Sequence, residues 1–482
     1  MELLASEHAK PITHGVQTTL GFAFRKRRLF VFLLAFTALL AYLQVTIHIT
    51  VNTDDIIRSH IEEFALHNPV DDDGLHFLQG EKFLTYTPHS GLSNQRIELE
   101  NALLLAIYLN RTLLIPPAFL GKMPSWQPRG NLRSILDITT AEREWALTCD
   151  QGDGQPTVVN NVRTIKNCRW HYLFAKNSLV VPWTVLHNFT NLTPYVRMRQ
   201  RPDMSVAGMK RALNLSDEDI FFPRDRHMYD WVLYDDEHRP KKQRQYQNHI
   251  NLHHFQSVPH KLLHLGGIFG TNRVHHDLPK HKYMHKLIER TMMYSNPILD
   301  ETVREIVKFL GGQASYYAIH VRTEDAQFAT LRERNLRSII TDLQQAFPRY
   351  SHRKHSQKTL DECLKDDDSI IYIATDNPRP RSDPNLRELF ASFPCIITFA
   401  DIPSHLLSSL HSVPKDNHIP QASEDQYRFW IPIIDAMIAG NGNGFSGSQG
   451  STFSKYINRM QSVWKDVGHS HHGLESLYHL TE

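Results

Sequence analysis

The sequence predicts an α/β protein of two Rossmann-like domains facing a cleft, set behind one N-terminal transmembrane helix. Three observations carry this. An apolar run follows a basic cluster near the N-terminus, strand-like and helical segments alternate through the remainder, and the 482 residues are enough for two or three domains at roughly 150 residues each. The composition, 41% hydrophobic and 22% charged, excludes a disordered or fibrous chain. Lys+Arg 53 against Asp+Glu 51 leaves a formal charge of +2, too weak a field for a dedicated nucleic-acid binder.

The apolar run spans Leu29 to Ile49, directly after Arg25-Lys26-Arg27-Arg28, and between Leu29 and Val45 only Thr37 and Gln44 are non-aromatic polar residues. That is about the 20 residues a bilayer crossing needs. It exceeds the apolar core of a signal peptide, and no small-x-small cleavage site follows it. Basic residues before the span place the N-terminus in the cytosol and the body in the lumen, a type II protein of the Golgi or endoplasmic reticulum. The layout is then a tail (1–28), a signal anchor (29–49), a stem (50–80), an N-terminal domain with insertions (81–310), a C-terminal domain (311–465) and a polar tail (466–482). All four cysteines, Cys149, Cys168, Cys363 and Cys395, follow the span, where disulfides form. Neighbour pairing is the simplest of the three connectivities, and sequence does not choose among them. Sequons at Asn188, Asn191 and Asn214 agree with a lumenal body, while the one at Asn110 falls between a helix and a strand.

Within the body, Lys82–Tyr86 reads as a strand and Pro88-His89-Ser90-Gly91 as a turn. A helix follows with Leu92, Leu99, Leu103 and Ala106 on one side and Ser93 or Asn94 as its cap, and Thr112–Pro117 reads as the next strand. Residues 200–260 read as polar surface insertions. His260 and His264 are spaced four apart on a potential helix, without the glutamate a His-Glu-x-x-His metal site needs; they and His469, His471 and His472 read as incidental. The triplets Asp71–Asp73 and Asp366–Asp368 read as solvated loops. In the second half, Tyr316–Val321, Ile370–Ile373 and Cys395–Phe399 read as strands. Leu336, Ile339, Ile340, Leu343 and Phe347 mark one helical face and Leu386–Phe390 another helix.

Three constellations carry chemistry. Ser90–Arg96 opens a helix, where Gly91 permits close backbone approach and the Asn94 amide can reach a ligand's oxygens. His320-Val321-Arg322 ends a strand, with His320 and Arg322 on one face; a planar guanidinium there can grip a phosphate, or form a plain strand-end ion pair. Gly447–Ser454 is a Gly/Ser loop opening a helix whose free N–H groups and hydroxyls can cradle an anion.

In this order, together with Asn110–Pro117, His264–Gly270, Leu310-Gly311-Gly312 and Ile373–Asp376, these motifs resemble the GDP-fucose-dependent protein O-fucosyltransferases. The resemblance implies a GT-B glycosyltransferase that moves fucose from GDP-fucose to a Ser/Thr hydroxyl of a protein, inverting and without a metal or other cofactor. It also implies site residues. Arg322 would meet the β-phosphate and act in catalysis, with His320 and Asp435 contacting the nucleotide. Asn94 would lie at the donor or acceptor side, and Ser451, Thr452 and Phe453 at the diphosphate. The chain departs from the family at Thr323-Glu324-Asp325, where relatives carry a Gly-Asp turn, and at His89-Ser90-Gly91, where some carry a carboxylate base. His89, Asp325 or the substrate itself are the candidates for the base. Two other classes fit the same residues: a transferase with another donor or a glycan acceptor, and a catalytically weak lumenal binder of the same fold.

Overall fold

The computed structural model describes residues 80–466, apart from 129–131, 134–135, 138–139, 141–142, 149–157, 160–162, 165–167, 202–203, 224, 237–244, 324–325, 351–353 and 414–423. The 29–49 span, Asp71–Asp73, Cys149, Asp325, the side chain of Cys168 and the His469–His472 tail lie outside what is described. No helix among the described residues is long and apolar enough to cross a membrane.

The first sheet is entirely parallel. Its strands are β1 (Phe83–Thr85), β2 (Thr112–Ile115), β3 (Met198–Gln200), β4 (Ile220–Phe221) and β5 (Leu262–His264), in the order β3-β2-β1-β5-β4. The chain therefore steps outward from β1 in one direction and later returns on its other side. The point of reversal lies between β1 and β5, and in open parallel sheets ligands bind beyond the strand ends at such a point. Helix α1 (Leu92–Leu109) connects β1 to β2. It is buried nearly all round, including Gln95, Arg96, Glu98 and Glu100, rather than on the one apolar side expected. Neither Ser93 nor Asn94 caps it. Both lie inside its first turn, the cap position is Gly91, and no side chain supplies the capping bond.

The second sheet repeats the logic. Strands β6 (Tyr316–Val321), β7 (Ile370–Thr375), β8 (Ile396–Thr398) and β9 (Gly444–Gly447) are parallel in the order β8-β7-β6-β9, so the reversal lies between β6 and β9. Alternation sends Ile319, Val321, Ile371 and Ile373 to one face, under Leu336, Ile339, Ile340 and Leu343 of helix α2 (Ala326–Ala346). Tyr316, Ala318, Tyr372 and Ala374 face the other way, into a core shared with Leu84, Leu103 and Leu263 of the first sheet's layers. Helices α3 (Ile431–Gly440) and α4 (Thr452–Asp466) close this side. The strand and helix positions expected in this half agree with the structure to within about two residues.

Two expectations fail. Residues 200–260 are not all surface insertion: Ile220–Phe221 is a strand of the first sheet, and Trp231–Tyr234 is a fully buried strand paired with Asn248–Asn251. Strands this short, or buried on both faces, carry no alternation to read. His264 is not on a helix; it ends β5 and is fully buried, four residues from His260 but outside any helical turn. The Asp366–Asp368 triplet is a turn before β7 held by Lys358, whose Nζ lies 2.7 Å from both Asp366 and Asp368.

Candidate functional site

The two reversal points meet. Thr452, at the start of α4 just beyond β9, donates its hydroxyl to Asn94 Oδ1 in the first turn of α1 at 2.9 Å. The first N–H groups of a helix have no partner within it, so two helix starts of 18 and 15 residues bring donors and the positive ends of their dipoles to one place. Asn94 thus spends its carbonyl on Thr452 and keeps its amide donors.

The second sheet supplies the rest of this half. Arg322 and Asp376 continue the β6–β7 register one step beyond Val321 and Thr375. Arg322 Nε lies 3.2 Å from Asp376 Oδ2. The other carboxylate oxygen, Oδ1, accepts from Thr323 N at 2.7 Å and Thr323 Oγ1 at 2.8 Å. The strand-end ion pair is present, and it orients a one-third-exposed guanidinium by one edge. Across the reversal, Ser448 Oγ accepts from Arg322 N at 3.0 Å, tying the Gly/Ser loop to the strand end.

His320 lies beneath. Its Nδ1 meets Ser454 Oγ at 2.7 Å and its ring packs on Phe453 at 4.7 Å. Burial, with Arg322 nearby, pushes the imidazole down to about 3, so it is neutral at ordinary pH. A Cβ at Gly447 would come within 2.6 Å of Ser454 Oγ, which is why this position has none. Ser451 is buried, and its hydroxyl accepts from Ser454 N at 3.2 Å, capping α4.

On the first sheet's side, the residue with left-handed backbone is Ser90 (φ 64°), not Gly91, whose φ is an ordinary −65°. Gly91 does leave open space where a side chain would stand. His89 is buried. Its Nδ1 lies 2.8 Å from Ser90 Oγ, and its Nε2 lies 3.1 Å from Glu98 Oε1, off the line of a well-directed hydrogen bond. Burial and Arg273 lower His89 to about 3, while burial raises the Glu98 carboxyl. Across the reversal, a Cβ at Gly267 would strike His89 at 2.6 Å, so the loop after β5 is glycine where it crosses the loop after β1.

The remaining expected residues are placed as follows. Asp435 is buried on α3, bonded to the Tyr372 phenol, with burial pushing its carboxyl up to about 7. Its described partner is therefore a tyrosine beneath the second sheet. Cys363 and Cys395 form a disulfide. Asn188, Asn191 and Asn214 are exposed, and so is Asn110, although Thr112 of that sequon is fully buried and bonded to Glu81. Ser448, Ser454 and Asp376 lie in stretches the sequence singles out, without a role of their own there, and Glu98 escaped the sequence reading. The parallel register of β6 and β7 is the signal that would have paired Asp376 with Arg322; Glu98 had none beyond being a charge inside an apolar helix. Among the described residues no group of three or more His, Cys, Asp or Glu side chains could hold a metal ion.

Two helix starts, a hydroxyl-rich loop and an oriented guanidinium at paired reversal points define an α/β protein with a site suited to an anion. No family model matches the chain. Over 40 residues it is 68% identical to O-fucosyltransferase 30 of Arabidopsis thaliana, a stretch that is 8% of this chain and 8% of that protein. Solved structures similar to it include POFUT1 in complex with GDP-fucose, 10% identical over 80% of this chain and 96% of that one with a TM-score of 0.34. NodZ alpha-1,6-fucosyltransferase soaked with GDP-fucose is 14% identical over 79% and 92%, also with a TM-score of 0.34.

Proposed function

We propose that the chain is a GT-B-type glycosyltransferase that moves fucose from GDP-fucose to a Ser/Thr hydroxyl of a protein acceptor, inverting and without a metal ion. The observation that carries this is the Asn94–Thr452 contact, which joins two helix starts beside Arg322. When the fucosyl–phosphate bond breaks, its electron pair stays on the GDP β-phosphate. Charge developing there is met by preoriented donors: the guanidinium held by Asp376 and the amides opening α4. Those groups supply the positive charge that a divalent cation supplies elsewhere. The order of the motifs and the 40-residue match support fucose as the sugar.

We assign the body to the lumen, behind the 29–49 anchor, because basic residues precede that segment and all cysteines and sequons follow it. In the purified full chain, Arg322→Ala should lower GDP release from GDP-fucose about a hundredfold, the effect of losing one oxyanion-type donor, and Arg322→Lys should recover little because a point charge cannot be held by one edge. Undiminished release by the Ala variant would overturn the site.

A further inference from the structure

We infer that Ser90, His89 and Glu98 form a proton relay in which Ser90 Oγ takes the acceptor hydroxyl's proton. This rests on the transfer reading above and names its base. Ser90 Oγ lies 2.8 Å from His89 Nδ1, and His89 Nε2 lies 3.1 Å from Glu98 Oε1, a close contact off the line of a hydrogen bond. A hydroxyl, an imidazole and a carboxyl group in that sequence are the parts of a relay.

Each part is fixed by its surroundings. Glu98 Oε2 accepts the His89 backbone N–H at 3.0 Å, and the amides of Ile268 and Phe269 also point at this carboxylate. Burial raises the Glu98 carboxyl, and these amides and the fully buried Arg273 act in the opposite direction. The missing side chain at Gly267 makes the room that the ring occupies. Ser90 is held in the left-handed region by its own N–H to Pro124 O at 2.7 Å and by Gln95 Nε2 to its carbonyl at 2.9 Å. A non-glycine residue kept there against its preference points to a constraint on its side chain. The hydroxyl so placed is half-buried, next to the open space at Gly91 and four residues before Asn94, whereas His89 and Glu98 are enclosed behind it.

The step balances. The acceptor O–H gives its proton to Ser90 Oγ while the Ser90 proton passes to His89 Nδ1. The acceptor oxygen's electron pair forms the new bond to fucose C1, and the C1–O bond to GDP breaks with its pair left on the β-phosphate. The imidazolium so formed faces Glu98, and its proton leaves by the same path once product departs. The relay requires the resting ring to carry its single proton on Nε2, with Nδ1 bare towards Ser90.

Two measurements on the full chain test this. With ¹⁵N-labelled histidine, and the His89 signals assigned by their loss in His89→Gln, Nδ1 should show the shift of an unprotonated ring nitrogen and should move in Ser90→Ala. With GDP-fucose and water as the acceptor, Ser90→Ala should lower kcat for GDP release about a hundredfold, within the range of general-base catalysis. Its Kd for GDP should stay within about twofold; a lowered kcat beside an unchanged Kd separates a relay from a brace. A protonated Nδ1 in the wild type, read whether or not turnover is seen, overturns the relay, as does an unchanged kcat in Ser90→Ala while the wild type turns over. A wild-type chain that does not bind GDP-fucose overturns the donor reading and the relay with it.

Discussion

Asp435 shows how the surroundings of a single side chain decide its protonation. The resemblance implies a nucleotide contact for it; the structure gives it the Tyr372 phenol and burial. Its carboxyl, pushed by burial from 3.8 to about 7, holds a proton in the folded chain that the unfolded chain releases near pH 4. The stabilisation is therefore complete below about pH 4 and is lost as pH rises through 7. Urea unfolding of Asp435→Asn, which keeps a neutral partner for Tyr372, should lack that fall between pH 4 and 7; a slope equal to the wild type's would show that Asp435 is ionised throughout. Arg322 was legible because a cation at a strand end is exposed to chemistry whatever its neighbours. Glu98 and Asp376 were not, because their roles come from residues 9 and 54 positions away.

At the scale of elements, α1 and α4 run side by side from the site and are joined at three levels. After Asn94–Thr452 comes the Arg96 guanidinium over the Tyr456 ring at 3.9 Å, and then Glu100, paired with both Arg96 and Arg459. Arg459 also reaches Glu289 at 2.9 Å. Breaking a buried pair strands a charge, which typically costs 3–5 kcal/mol, whereas removing both partners costs less. Arg459→Met should accordingly destabilise the chain by about 3 kcal/mol in urea. Adding Glu100→Gln to it should cost less than the two single losses summed; additive losses would mean that the pair does not couple the helices. The helices and long strands around this seam were readable from periodicity. The capping of α1 was not, since Ser93 and Asn94 are good caps by type but the helix begins one residue before them.

For the whole molecule, the alternation of strands and helices in the sequence predicts parallel sheets, and the two larger sheets are parallel throughout, beside two short antiparallel pairs, Ala118–Gly121 with Ser178–Val181 and Val158–Val159 with Arg163–Thr164. What alternation cannot give is strand order, and strand order makes the site: each sheet reverses direction once, beside β1 and beside β6, and all three sequence constellations lie at those reversals. Topology relative to the membrane belongs to this scale too. Expressed in a eukaryotic host, the full chain should stay with membranes in alkaline carbonate and lose mass on removal of N-glycans, as exposed sequons at Asn188, Asn191 and Asn214 allow. A carbonate-soluble, unglycosylated product would place the body elsewhere.

On the proposed function, the two reversal points form one donor site that needs no metal ion. Calorimetric titration of the full chain with GDP-fucose in excess EDTA tests it most directly. Binding should be saturable and one-to-one and should weaken about tenfold or more on either Arg322→Ala, from the second sheet, or Asn94→Ala, from the first, each removing a charge-assisted or neighbouring donor contact. Binding that appears only when manganese is added, or that is indifferent to both substitutions, would contradict it.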